Sequence, residues 1–293
     1  MVGHLQWLWH RVVRKATGRS IPSEVLARRY VYAGRVAWTT GYTEFKHRAI
    51  RDALADTVLL RQFAEHGPLP DRYAVGLDER LVECPWVFAQ LRGCGPRLLD
   101  AGSALNHPEM LDHPALADRT VTACTLAPEA QRGRPHVSYV YADLRDVPFR
   151  DGWFDVVVCL STLEHIGLDN TRQYTADRRF AENDRDGWRP AVREMRRVLR
   201  PGGVLLLTVP FGRPEHFGWA QVFDRAGLDA VVREFGGRAV DQDFFLYGRD
   251  GWSTATAEEC ADARYHDYTR GGPPPPDGAA AARAIACVRL EAS

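Results

Sequence analysis

Long hydrophobic runs are missing from this sequence. No apolar segment approaches the ~20 residues that a transmembrane helix needs. The first residues also lack the continuous apolar stretch and the cleavage site of a signal peptide. We therefore expect a cytoplasmic protein without a membrane-spanning segment.

Paired cysteines and a net charge are missing too. The six cysteines are scattered without a Cys-x-x-Cys pair, so we expect free, mostly buried thiols in a reducing compartment. The 38 basic and 38 acidic residues cancel at neutral pH. Because nucleic-acid binding requires a basic surface, this balance argues against a nucleic-acid partner.

The charge is unevenly distributed, because residues 1–50 contain nine basic residues and only two acidic ones. Within this region Leu5, Leu8 and Val12 recur at helical spacing, with arginines between them. Two interpretations remain open for residues 1–20. We favour a helix that packs on the domain through its apolar side over a basic helix in weak contact with an anionic membrane surface.

Acidic residues end two of the predicted strands. The apolar run Leu98-Leu99 ends at Asp100 and opens into a small-residue turn that begins with Gly102-Ser103. A second run, 137–141, leads to Asp143-Leu144. Parallel strands present nucleotide-like ligands in this way, because the turn lets the backbone approach the ligand and the carboxylate accepts its hydrogen bonds.

Further motifs follow at regular distances. The β-branched run 154–159 precedes Ser161-Thr162-Leu163-Glu164-His165, and Pro201-Gly202-Gly203 opens the next apolar run. Over roughly residues 97–211 this set resembles the class I S-adenosylmethionine-dependent methyltransferases, especially the small-molecule branch of polysaccharide and natural-product biosynthesis. The resemblance implies an α/β fold with a doubly wound, mostly parallel seven-stranded sheet (Rossmann-like) and an N-terminal helical extension.

We divide the chain into a helical extension, 1–92, and an S-adenosylmethionine-binding domain, 93–293. Strands are expected near 97–101, 119–124, 137–141, 154–159 and 203–209, with helices between them. The runs 244–247 and 284–290 suit the closing strand pair that the resemblance implies. Insertions near 166–190 and 211–235 are expected to line an acceptor pocket, since such segments lie at the carboxyl edge of the sheet.

The resemblance also implies which residues hold the cofactor, S-adenosyl-L-methionine. They are Asp100, Gly102, Ser103, Thr125, Leu126, Asp143, Leu144 and Ser161. Thr125 stands where the family usually carries an acid for the ribose, and a hydroxyl offers weaker bonding than a carboxylate. Asn106, which tolerates left-handed backbone, stands where a glycine is usual. We expect Glu129 at a helix start rather than on the ribose.

Two residues are candidates for the chemistry, Glu164 and His165. His165 is the expected general base, because an unperturbed imidazole is largely neutral at about pH 7. A purely structural role for both residues remains open. The dipeptide resembles the end of a Glu-x-x-Glu-His metal motif, but Ser161 replaces the first glutamate, so we expect no metal.

The expected activity is methyl transfer to a hydroxyl of a small-molecule acceptor, with a sugar favoured by the resemblance alone. An N-methyltransferase is the near alternative, and it would need less from His165. A non-catalytic S-adenosylmethionine-binding scaffold is a second alternative, because of Thr125 and the altered glycine turn. A homodimer is left open.

Overall fold

The computed structural model describes residues 21–293 and has one eight-stranded sheet at its centre. The predicted helix of residues 1–20 and its membrane contact lie outside these residues. The strands are β1 (Arg97–Ala101), β2 (Thr120–Thr125), β3 (Val137–Tyr141), β4 (Phe154–Leu160), β5 (Leu199–Pro210), β6 (Arg238–Gly248), β7 (Gly251–Ala255) and β8 (Ala284–Glu291). Their order across the sheet is β3-β2-β1-β4-β5-β8-β6-β7.

The first five strands pair in parallel, and β8 runs antiparallel to both β5 and β6. All seven residues of β4 are buried, as expected for a central strand that is covered on both faces. The mostly parallel α/β architecture predicted from the sequence is confirmed.

The strand count was wrong, because the sheet has an eighth strand at its edge. A two-residue loop, Arg249-Asp250, joins β6 to β7, and Gly251 pairs with Gly248 across the hairpin. Gly251 has φ +90°, and a Cβ there would lie 2.1 Å from the Tyr73 carbonyl oxygen. The Trp252 N–H donates to that same carbonyl at 2.8 Å, so contact with a distant segment holds β7 in place.

The helices are α1 (Ser23–Tyr32), α2 (Tyr42–Ala55), α3 (Thr57–Ala64), α4 (Arg80–Gln90), α5 (Pro108–Leu111), α6 (Pro114–Ala117), α7 (Trp188–Val198), α8 (Arg225–Phe235) and α9 (Ala257–Cys260). The expectation of a helix in every crossover was wrong. No helix separates β2 from β3 or β3 from β4 in the described chain. Pro128, Gly133 and Pro135 interrupt the first of these connections, since proline and glycine disfavour a helix interior.

The helices that precede β1 pack directly on the sheet. Trp86 of α4 donates its indole N–H to Asp243 of β6 at 2.7 Å. Inside α4, Pro85 cannot donate to the Leu81 carbonyl, and the Tyr73 hydroxyl donates to it instead at 2.5 Å.

The domain boundary after residue 92 stays a prediction. None of the helices found in residues 21–293 is long and apolar enough to cross a membrane.

Candidate active site

A cavity of about 240 Å³ opens at the carboxyl ends of β1 to β4. Among the residues that line it are seven of the eight predicted cofactor residues: Gly102, Ser103, Thr125, Leu126, Asp143, Leu144 and Ser161. His165 also lines it, whereas Asp100 and Glu164 do not. Parallel strands bring these segments together, because their carboxyl ends meet at one edge of the sheet.

The turn after β1 requires its glycine. Gly102 has φ +110°, and a Cβ there would lie 2.2 Å from Thr162 Oγ1 in the turn after β4. The left-handed non-glycine residue of the turn is Ser103, with φ +59°, and not Asn106. The Asn106 side chain instead accepts from the Tyr139 hydroxyl at 2.8 Å, which ties the turn to β3.

Asp100 lies behind the cavity wall and is fully buried. Its Oδ2 accepts from the Leu105 N–H at 2.9 Å, while Oδ1 has no hydrogen-bond partner within residues 21–293. Burial raises the pKa of this carboxyl group to about 7, against the lowering effect of backbone hydrogen bonds. Asp100 therefore caps the turn and keeps one oxygen for a further polar contact.

At the end of the cavity next to β3, the Asp143 carboxylate is already engaged in hydrogen bonds. Arg145 donates to it through Nε at 3.0 Å and Nη2 at 2.7 Å, and Nη2 also reaches Glu182 at 3.0 Å. The backbone N–H of Leu144 makes no hydrogen bond to another described residue. Leu144 thus has a donor free for a ligand, whereas a ligand that binds Asp143 would have to share its oxygens with Arg145.

Glu129 is not at a helix start, contrary to the sequence-based expectation. It lies in the loop between β2 and β3, where its carboxylate accepts from the Ser103 hydroxyl and, at 3.0 Å, from Asn106 Nδ2. The loop carboxylate therefore contacts the β1 turn, and Thr125 itself supplies the cavity wall.

The imidazole of His165 is oriented by two contacts. Nδ1 lies 2.8 Å from the Trp219 carbonyl oxygen, and Nε2 lies 3.2 Å from the Tyr174 hydroxyl. Because a carbonyl only accepts, Nδ1 carries the proton and Nε2 keeps its lone pair. Burial lowers the pKa of His165 to about 4, so the ring is neutral at physiological pH. The geometry suits a general base.

Glu164 is 3% exposed, and its Oε1 lies 3.7 Å from His165 Nε2. The other oxygen, Oε2, has no partner among the described residues. Burial raises the pKa of Glu164 well above its usual value.

Helix α4 reaches this site, which the sequence did not predict. Ser161 and Thr208 both donate hydroxyl hydrogen bonds to Glu83 Oε1, at 2.5 Å and 2.6 Å. Arg80 pairs with the other oxygen of Glu83 at 2.8 Å and lines the cavity. A buried acid in an apolar helix was the available signal, since such a group requires partners.

The segment near 166–190, which was expected to line an acceptor pocket, contributes Asn170, Tyr174 and Phe180 to the cavity lining. His107 is a lining residue that the sequence analysis missed. His107 lies in the loop before α5, close to His47 and Glu109. One ring nitrogen of each histidine and one carboxylate oxygen of Glu109 all lie within 4.8 Å of one another.

Residues 100–207 match the methyltransferase domain family. Over 89 residues, 30% of this chain, the sequence is 35% identical to the ubiquinone/menaquinone biosynthesis C-methyltransferase UbiE of Shewanella oneidensis. The matched stretch spans 28% of the length of that enzyme.

Solved structures resemble the chain at low identity. One is the 1,6-didemethyltoxoflavin-N1-methyltransferase of Burkholderia thailandensis, with 13% identity, 91% of this chain and 90% of that chain covered, and a TM-score of 0.46. Another is the N-methyltransferase NodS of Bradyrhizobium japonicum WM9, with 15% identity, 84% and 98% covered, and a TM-score of 0.42. The family match covers residues 100–207, which include the strand-end motifs that resemble the S-adenosylmethionine-dependent methyltransferases.

Proposed function

We propose that this chain transfers a methyl group from S-adenosylmethionine to a polar small molecule. The observation that carries the proposal is a single cavity that collects Gly102, Thr125 and Leu144 at one end and the neutral His165 at the other. The free backbone N–H of Leu144, on the cavity wall, matches a ligand that carries a hydrogen-bond acceptor. When bound, the cofactor supplies a methyl group that is already activated on a sulfonium.

His165 acts on the acceptor in this proposal. Its Nε2 takes the proton of an acceptor hydroxyl, while the Trp219 carbonyl holds Nδ1–H and keeps the ring oriented. The Tyr174 hydroxyl lies 3.2 Å from Nε2. In this proposal the acceptor hydroxyl either displaces Tyr174 from Nε2 or reaches Nε2 through the Tyr174 hydroxyl. A hydroxyl acceptor makes full use of this arrangement, and a sugar is our first candidate because of the family resemblance.

The alternative functions depend on His165 to different degrees. An amine acceptor releases its proton more readily, so N-methylation would depend less on the base. A scaffold protein would bind the cofactor without turnover.

We place the enzyme in the cytoplasm, and its six free cysteines, five of them buried, support a reducing compartment.

Calorimetric titration with S-adenosylhomocysteine, with NAD as the control ligand, tests the proposal. We expect micromolar binding of the first ligand alone. Methyl transfer is then measured over a panel of hydroxyl and amine acceptors at saturating cofactor. Absence of S-adenosylhomocysteine binding would contradict the cofactor site, and binding without turnover on any acceptor would favour the scaffold.

A further inference from the structure

Aromatic rings cluster around His165. The Trp219 indole stacks on the imidazole with ring centroids 5.4 Å apart, and it meets Tyr265 and Tyr268 edge-on at 6.3 Å and 5.8 Å. Tyr174, 48% exposed, lies at the outer side against His165. We call Tyr174, Trp219, Tyr265 and Tyr268 the aromatic chamber.

Two carboxyl groups adjoin this chamber. Glu164 is 3% exposed, and the Oε2 atoms of both Glu79 and Glu164 are buried without a hydrogen-bond partner in the described chain. Glu164 Oε1 lies 3.7 Å from Nε2 of His165, the ring on which Trp219 stacks. Glu79 directly precedes Arg80, which lines the cavity. Burial, and then the charges of neighbours that include both glutamates, raise the pKa of the Tyr265 hydroxyl well above its usual value.

The nearby cations are committed to other acids. Arg80 donates to Glu83 at 2.8 Å, and Lys46 donates to Asp78 at 2.7 Å. Burial raises the pKa of Glu79 to about 8, against the lowering effect of Arg80. A buried carboxylate without a partner is costly, and a cation that arrives with a ligand removes that cost.

We propose that the methyl acceptor carries an ammonium group, which binds in the aromatic chamber beside Glu79 and Glu164. Aromatic faces attract cations, most strongly when the cation leaves water. The indole N–H of Trp219 is buried without a partner among residues 21–293, and it can donate to a hydroxyl oxygen of the same molecule. This inference rests on the proposed function and narrows its acceptor to amino alcohols or amino sugars, whichever atom is methylated.

Two pairs of probes with equal shape and different charge test the inference. Choline is compared with 3,3-dimethylbutan-1-ol, and ethanolamine with propan-1-ol, by calorimetry on the full chain saturated with S-adenosylhomocysteine. We expect the ammonium member of at least one pair to bind about tenfold more tightly than its neutral isostere, or better. Equal binding within both pairs would overturn the inference.

Variants locate the effect. Glu79→Gln and Glu164→Gln keep the shape of a protonated carboxyl group, so we expect both to fold and to retain S-adenosylhomocysteine affinity. Each should weaken binding of the ammonium probe about tenfold, whereas Glu65→Gln, at an exposed position after α3, should not. An ammonium preference that survives both variants would also overturn the proposed location.

The outcomes separate this inference from the function on which it rests. Loss of S-adenosylhomocysteine binding by the wild-type chain would contradict the methyltransferase proposal whatever the probes do. Cofactor binding and turnover without any charge preference among the probes would leave the methyltransferase in place and remove only the ammonium site.

Discussion

At the scale of single residues, His165 receives its properties from its neighbours. The Trp219 carbonyl holds the proton on Nδ1, and burial keeps the ring neutral with a pKa of about 4. A base with a low pKa is unprotonated at physiological pH, but it has a low affinity for protons. Its contribution to the rate therefore depends on close alignment with the acceptor.

Replacement of the imidazole tests this role. We expect His165→Ala to lower kcat about 100-fold, because the acceptor proton loses its base. The affinity for S-adenosylhomocysteine should change little. His66→Ala, a half-exposed histidine paired with Asp241 and Asp243 on β6, is the matched control and should keep full activity. Full activity of His165→Ala would return this residue to a structural role.

The pH dependence of kcat gives an independent test. An ordinary imidazole would lose half its base form at 6.5, but the lowered pKa keeps His165 unprotonated until the pH approaches 4. We therefore expect kcat at saturating cofactor to stay flat as pH falls from 8 to about 5. A rate that falls by half near 6.5 would contradict the buried, neutral ring.

At the scale of secondary-structure elements, one buried acid joins three strands. Asp155 of β4 accepts from Nε of Arg97, at the start of β1, at 3.2 Å, and from Nε of Arg200, near the start of β5, at 2.6 Å. Burial alone would raise the pKa of Asp155, but hydrogen bonds from both arginines lower it to about 2. These contacts hold the amino ends of the strands in register, opposite the cavity.

Removal of this carboxylate should destabilise the sheet. We expect Asp155→Ala to lower the free energy of unfolding by about 2–3 kcal/mol, since it leaves two partly buried arginines unpaired. The folded-state pKa lies below the unfolded one, so the stabilisation is present above pH 3.8 and is lost as pH falls towards 2.

Urea unfolding of both proteins at pH 7 and at stepwise lower pH measures these effects. The control is Asp250→Ala, which breaks an exposed ion pair with Arg72 and should cost less than about 0.5 kcal/mol. A difference between wild type and Asp155→Ala that persists unchanged at low pH would contradict the ionic origin of the effect.

At the scale of the whole molecule, the helices before β1 share one hydrophobic core with the sheet. Tyr30 and Trp86 belong to the same buried cluster as Leu98, Val156 and Ile285. One face of the central strands is therefore covered by residues from the predicted extension, and the predicted boundary at residue 92 does not separate two cores.

A shortened chain of residues 93–293 should consequently fail to fold cooperatively. Loss of α1 to α4 would expose the apolar face of β1, β4 and β8 to water, at a cost that exceeds the stability of a typical domain. Thermal unfolding and calorimetric titration with S-adenosylhomocysteine check this. A sharp thermal transition together with wild-type affinity for S-adenosylhomocysteine would show that residues 93–293 fold without the preceding helices.

The strand-end lining of the cavity was predictable from short motifs. Asp100, Gly102 and Asp143 follow apolar runs directly, and a parallel sheet places such strand ends at one edge whatever the details of packing. The same local logic predicted the first five strands. It failed for the helices between β2 and β4, where proline and glycine overrode the expected alternation.

The acceptor end was decided by tertiary structure. Arg80, Glu83 and Tyr265 lie far from His165 along the chain, and only packing of α4 and the loop before β8 brings them close. The lowered pKa of His165 likewise follows from burial. The sequence by itself determined the methyltransferase resemblance, the strand-end motifs and the sheet edge at which they meet, because local hydrophobic pattern and turn chemistry specify them. The protonation states and the aromatic chamber depend on contacts between distant segments, which no local pattern encodes.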